Sequence, residues 1–179
     1  NLYNFHPGSH TGQGVETGIS QIINALNTAM FEDMTTTVLL ETMAGKGTEL
    51  GRNFEEIAAI IDSVDASVRD SVGVCLDTCH SFAAGYDLST EESCEKVFAE
   101  FECEVGFKYL RGMHLNDALK AVGSRVDRHS PMGDGFLGFA PFRYIARDAR
   151  FDGIPLILET PDEARWAEEI ALLKSFSQE

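Results

Sequence analysis

Five short apolar runs in the sequence are each followed by a histidine or a carboxylate. These terminal residues are 35, 36, 37 and 45 positions apart, and they are His6, Glu41, Asp77, His114 and Glu159. The runs at 38–40, 72–76 and 156–158 do not alternate apolar and polar residues. Such continuous runs are typical of strands that are buried on both faces of a parallel sheet.

The segments between the runs repeat apolar residues at helical spacing. This spacing predicts helices around residues 19–30, 54–61, 94–101, 141–149 and 166–173, and we expect their apolar stripes, including Trp166, to face the core. Strands that alternate with helices predict an α/β fold with a parallel sheet. A closed TIM-type barrel has eight βα units, and five are found here. We therefore expect residues 1–179 to form a single domain, a partial parallel βα barrel with about five of the eight units.

The residues that end the runs predict a metal site. The carboxyl ends of barrel strands converge on one face, so the five side chains are expected to meet there. Buried carboxylates are destabilising unless cations compensate them, and mixed His and carboxylate donors suit zinc, with manganese as the alternative. His80, expected in the turn after the third strand, is a further donor. Asp127 and His129 are two more, because residues two apart in an extended segment point the same way.

The net charge limits the partners of the chain. With 14 Lys and Arg against 29 Asp and Glu, the net charge is −15, which argues against nucleic-acid or lipid binding by bulk positive charge but allows cation binding. No apolar run approaches the roughly 18 residues of a membrane span. Residues 1–10 lack the pattern of a signal peptide. The four cysteines lie inside regular patterns, which favours a reduced, cytoplasmic setting.

Six segments resemble the endonuclease IV family, in that family's order and over essentially the whole chain. They are NFHPGSH (4–10), ETMAG (41–45), VCLDTCH (74–80), HLND (114–117), SRVDRH (124–129) and PLILET (155–160). The resemblance implies a zinc-dependent apurinic/apyrimidinic endonuclease of base excision repair, built on a βα barrel. Such an enzyme acts as a monomer on double-stranded DNA and hydrolyses the phosphodiester 5′ to an abasic site, with a metal-bound hydroxide as nucleophile.

The resemblance also implies a trinuclear zinc site with eight donors in this chain. The three sets are His6 with Glu41, then Glu41 as a bridge with Asp77, His114 and Glu159, and then His80 with Asp127 and His129. Glu41 and Glu159 would position the hydroxide and are the implied catalytic residues. In the family, another histidine of the first set lies on an earlier strand, and early loops enter the DNA. The resemblance therefore implies that residues 1–179 are a partial barrel that lacks the N-terminal units, and we expect this chain to lack both features.

Two alternatives remain open from the sequence. One is a metal-dependent sugar isomerase or epimerase of the xylose isomerase type, and the other is a non-catalytic metal-binding fragment of the parent enzyme. Residues 133–138 match G-x-G-x-x-G, but no strand is predicted just before them, so we interpret them as a loop near the third metal. Cys79 is interpreted as a turn residue beside the site, and Glu168 and Glu169 as part of a solvated helix face.

Overall fold

A computed structural model describes residues 1–178, and its main feature is a curled, five-stranded parallel sheet. The strands are β1 (Leu2–Phe5), β2 (Thr37–Glu41), β3 (Val72–Asp77), β4 (Leu110–His114), β5 (Asp117–Ala118), β6 (His129–Ser130) and β7 (Leu156–Ile157). The parallel sheet has the order β1-β2-β3-β4-β7, and β5 pairs antiparallel with β6 in a separate small sheet. This half-barrel confirms the predicted TIM-type α/β fold.

Helices follow the strands of the sheet. They are α1 (Val15–Ala29), α2 (Phe54–Ser63), α3 (Thr78–Ala84), α4 (Glu91–Glu104), α5 (Ala140–Arg147) and α6 (Trp166–Phe176), with short 3-10 helices at Arg69–Ser71, Phe107–Tyr109, Ala149–Phe151 and Glu163–Arg165. Each helix predicted from apolar spacing is confirmed. Within residues 1–178, no helix is long and apolar enough to cross a membrane.

The helix α3 is not predicted from the sequence, and it begins directly after β3. Asp77 is the last residue of β3 and the N-cap of α3, and its Oδ1 accepts the N–H of His80 at 2.8 Å. An N-cap carboxylate satisfies an N–H that has no partner inside the helix. The expectation that His80 and Cys79 lie in a turn is therefore wrong, because both lie in the first turn of a helix.

Aromatic side chains pack between α4 and α5. Phe98 is fully buried, and its ring centroid lies 4.8 Å from that of Phe151, 5.6 Å from that of Tyr144 and 6.3 Å from that of Phe107. Such contacts add to the hydrophobic burial of each ring. This cluster joins the helices of the second half of the sheet into one core.

We expect Phe98→Ala to lower the free energy of unfolding by about 3–5 kcal/mol, because it leaves a cavity in a packed core. Denaturant unfolding of the purified variant measures the loss. Phe31→Ala is the matched control, since Phe31 is 66% exposed and its truncation is expected to cost less than about 0.5 kcal/mol. Equal losses for the two variants would contradict this assignment of the core.

The sheet has two outer strands, β1 and β7, and both leave apolar side chains exposed. Leu156 and Ile157 of β7 are 40% and 49% exposed, so the expectation that the last apolar run is buried on both faces is wrong. Trp166 and Ile170 of α6 are exposed as well, so the prediction that this stripe faces the core is also wrong for them. Among the described residues, β4 is the only strand that pairs with β7. No strand within residues 1–178 covers these side chains from the other side of β7.

Candidate metal centre

The carboxyl ends of the parallel strands bring the predicted donors together. Glu41, Asp77 and His114 are the last residues of β2, β3 and β4, His6 follows β1, and Glu159 lies two residues beyond β7. The other three donors come from α3, β6 and the loop between β5 and β6. The ligand atoms form groups within 4.8 Å of one another: His6 with Glu41 and His80; Glu41 with Asp77, His114 and Glu159; His80 with Asp127 and His129; and Asp77 with Cys79 and His129.

The second of these groups, Glu41 with Asp77, His114 and Glu159, is called the central set here, and its first three residues are buried. Nδ1 of His114 lies 3.1 Å from Oε2 of Glu159, 3.3 Å from Oε1 of Glu41 and 3.7 Å from Oδ2 of Asp77. The side chains of Glu41 and Asp77 are only 3% and 0% exposed, whereas that of Glu159 is 43% exposed. Three carboxylates thus face one imidazole nitrogen, and only Glu159 is open to solvent.

Two smaller groups flank this one. On one side, Nε2 of His6 lies 3.5 Å from Oε2 of Glu41, and Nδ1 of His80 lies 3.2 Å from Oε1. On the other side, Oδ1 of Asp127 lies 3.2 Å from Nε2 of His80 and 3.6 Å from Nε2 of His129. His80 therefore belongs to both of these smaller groups.

Hydrogen bonds fix two of the imidazoles as metal ligands require. Nδ1 of His80 donates to the carbonyl oxygen of Thr42 at 2.9 Å, and Nδ1 of His129 donates to the carbonyl oxygen of Glu159 at 3.1 Å. Each bond leaves Nε2 as the nitrogen that is free to bind a metal ion. Histidines that bind metal ions typically donate their other ring N–H in this way.

Several buried atoms at the centre lack a hydrogen-bond partner. Among residues 1–178 they include Oε1 of Glu41, Nδ1 of His114 and Nε2 of His129. Buried polar atoms are normally paired, and divalent cations bound between these groups would satisfy all three. This donor set, with imidazole and carboxylate ligands, fits zinc.

The electrostatics of the centre also favour a cation. Burial alone would lower the pKa of His80, but the charge of Asp77 and the bond to Asp127 raise it to about 11. Burial is likewise outweighed at His114, where contacts with Cys75 and Glu159 raise the pKa to about 12. Burial raises the pKa of Glu41, yet His114 and His80 hold it well below its ordinary value. The imidazoles thus hold protons where a metal ion could take their place.

Residues beyond the predicted donors support them. Nδ2 of Asn4 donates to Glu41 at 2.5 Å, and the Asn116 amide donates to Asp77 at 2.8 Å while its Oδ1 accepts the N–H of Glu159 at 2.9 Å. Both asparagines lie two residues from a donor histidine, a spacing that could have suggested them. His10, in contrast, lies outside the donor groups, and its Nδ1 accepts the N–H groups of Gly12 and Gly14.

The family of the chain follows from its match to a known family model. Residues 1–176 match the model described as xylose isomerase-like TIM barrel. The chain belongs to the xylose isomerase-like TIM barrel family. Members of this family share the barrel that the half-barrel here represents in part.

Solved structures resemble this member of the xylose isomerase-like TIM barrel family over 99% of its length. The crystal structure of endonuclease IV from Thermus thermophilus matches with a TM-score of 0.82 and 30% identity, and the chain covers 61% of that protein. AsfvAP:AG matches with a TM-score of 0.61, 16% identity and 60% of its length covered. The IOLI protein with a bound zinc atom matches with a TM-score of 0.50 and 16% identity, and the chain covers 73% of that protein. The last two similarities show the fold alone.

Proposed function

We propose that the protein is a zinc-dependent DNA repair endonuclease that hydrolyses the phosphodiester 5′ to an abasic site. The proposal depends mainly on the arrangement of the donors, in which three of the four groups contain the buried Glu41 or the buried Asp77. The 30% identity to endonuclease IV over 99% of the chain supports it. The partner in this proposal is double-stranded DNA with an abasic site, bound by one copy of the protein.

Eight side chains would hold zinc in this proposal. The three sets are His6 with Glu41; Glu41 with Asp77, His114 and Glu159; and His80 with Asp127 and His129. Zinc ions bound there would neutralise the phosphate and activate a water molecule for attack on phosphorus. Glu159 is the exposed carboxylate of the central set and would accept the proton of the attacking water at Oε2. The buried Glu41 would help to position that water.

The acidity of the chain is compatible with DNA as substrate. Four of its carboxylates, those of Glu41, Asp77, Asp127 and Glu159, are among the proposed ligands, so metal ions would face the phosphate. Arg128 lies between two donors of the third set, is exposed, and donates Nη1 to the carbonyl oxygen of Asp127. Its position would let it contact a phosphate beside the cleaved bond.

An incision assay tests the proposal. We expect the full product of the gene that encodes this chain, loaded with zinc, to cut a labelled duplex that carries one abasic site and to leave a 3′ hydroxyl. The same duplex without the abasic site is the control and should stay intact. An uncut abasic duplex, together with isomerisation of an aldose by the same zinc-loaded protein, would assign the centre to sugar chemistry instead.

A further inference from the structure

The motif at residues 133–138 binds a carboxylate of the chain itself. Asp117 is fully buried, and its Oδ2 accepts the N–H groups of Gly133 at 3.0 Å and Gly135 at 2.9 Å. Its Oδ1 accepts the N–H groups of Leu137 at 2.9 Å and of Ala118 at 2.7 Å. Four N–H groups around one carboxylate resemble the backbone cradles that bind anions in proteins. We call these residues, Asp117 with Gly133, Gly135 and Leu137, the Asp117 cradle.

The two glycines of the cradle occupy positions that disfavour other residues. A Cβ atom on Gly135 would lie 2.4 Å from the carbonyl oxygen of Ala118 and 2.4 Å from Oδ1 of Asp117. Gly133 has φ of +86°, a conformation that disfavours other residues. The approach of the Asp117 carboxylate therefore requires glycine at position 135, and the backbone conformation favours glycine at position 133.

The cradle is joined directly to the third donor set. In the small sheet, Ala118 of β5 pairs with His129 of β6, and Asp117 pairs with Ser130. The N–H of Leu119 donates to the carbonyl oxygen of Arg128 at 2.9 Å, and the N–H of Phe136 donates to that of Ala118 at 2.8 Å. The backbone that carries His129 is thus paired with Ala118, whose N–H the Asp117 carboxylate accepts.

We propose that Asp117 is a positioning residue for metal binding at His80, Asp127 and His129. Its carboxylate holds residues 133–137 against β5, whose partner β6 carries His129 with Nε2 at 3.6 Å from Oδ1 of Asp127 and 3.7 Å from Oδ2 of Asp77. Asp117 itself belongs to none of the donor groups. The inference rests on the proposed function in one respect, which is that zinc occupies this set.

The test compares zinc binding by the parent protein and by Asp117→Asn. The amide keeps the shape of the side chain but removes its charge and places an NH₂ group where an oxygen now accepts N–H groups. We expect one zinc equivalent to bind about 10–100-fold more weakly, while the others keep their affinity. Equilibrium dialysis against a competing chelator measures this, and His129→Ala identifies the equivalent concerned. The double variant, Asp117→Asn with His129→Ala, should then bind as many zinc equivalents as His129→Ala alone.

The matched control is Glu56→Gln. Glu56 is also a buried carboxylate that accepts backbone N–H groups, those of Gly51 and Arg52, but the loop it holds carries no donor of the centre. The Glu56→Gln variant should have a lower free energy of unfolding and an unchanged affinity for every zinc equivalent. Where Asp117→Asn does not fold, Gly135→Ala disturbs the cradle from its other side and should weaken the same equivalent.

Two results would overturn the inference: unchanged affinity for every zinc equivalent, or an equal loss for all of them. The first would make the cradle irrelevant to the metal, and the second would make its role general to folding. The zinc measurement needs no DNA, so it remains informative if the parent protein binds zinc and leaves abasic DNA uncut. In that event the proposed function fails, and the role of Asp117 is decided separately.

Discussion

The Glu159→Gln variant is expected to cut an abasic duplex about 10²–10⁴-fold more slowly than the parent protein, the usual effect of losing a general base. Glu159 is the donor of the central set that is open to solvent, with Oε2 3.1 Å from Nδ1 of His114. Glutamine keeps the length of the side chain but cannot accept a proton from water. The measurement is single-turnover incision at saturating DNA, with the zinc content of each preparation determined alongside.

The control for this variant is Glu168→Gln. Glu168 is an exposed glutamate of α6 and belongs to none of the donor groups, so the same chemical change there should leave incision unaltered. Near-normal incision by Glu159→Gln with full zinc content would contradict the role proposed for Glu159. Slow incision that is accompanied by loss of zinc would instead make Glu159 chiefly a ligand.

Each zinc ion that binds only the folded protein is expected to stabilise it by about 4 kcal/mol when the free zinc concentration is roughly 1,000 times the dissociation constant of that site. The reason is the concentration of buried charge, since Glu41 and Asp77 are nearly inaccessible and face imidazoles with unpaired nitrogens. A chelator should lower the denaturation midpoint, and added zinc should restore it. Denaturant titration followed by circular dichroism measures both changes.

A pair of histidine variants controls this experiment. His129→Ala removes a donor of the third set and should reduce the stabilisation by zinc, whereas His10→Ala should leave it unchanged because His10 lies outside the donor groups. Identical midpoints for the parent protein with and without zinc would show that the centre does not bind the ion in the folded state.

The ends of the strands could be predicted because each apolar run stops at a carboxylate or an imidazole residue, at nearly regular intervals along the chain. Glu41, Asp77 and His114 each break an apolar run, and the structure places each at the last position of its strand. The helix α3 could not be predicted, because it follows β3 with no intervening loop and has only seven residues. Its capping residue is also the end of a strand, so no separate start signal exists.

Contacts between distant segments explain the wrong predictions. Glu169, expected on a solvated face, is 2% exposed because it accepts the Thr160 hydroxyl at 2.6 Å and the N–H of Met132, 37 residues away, at 2.7 Å. Helical spacing carries no information about such a partner. Trp166 and Ile170 fail in the opposite sense, because β7 is an outer strand and leaves their apolar stripe uncovered.

The double role of Asp77 preorganises the candidate metal centre. Its Oδ1 begins α3 by accepting the N–H of His80, while its Oδ2, held by Asn116, faces His114 and His129. The rotamer of the ligand is therefore settled when the helix forms. An arriving ion would not have to order this side chain, and the conformational entropy usually lost on binding is already lost in folding.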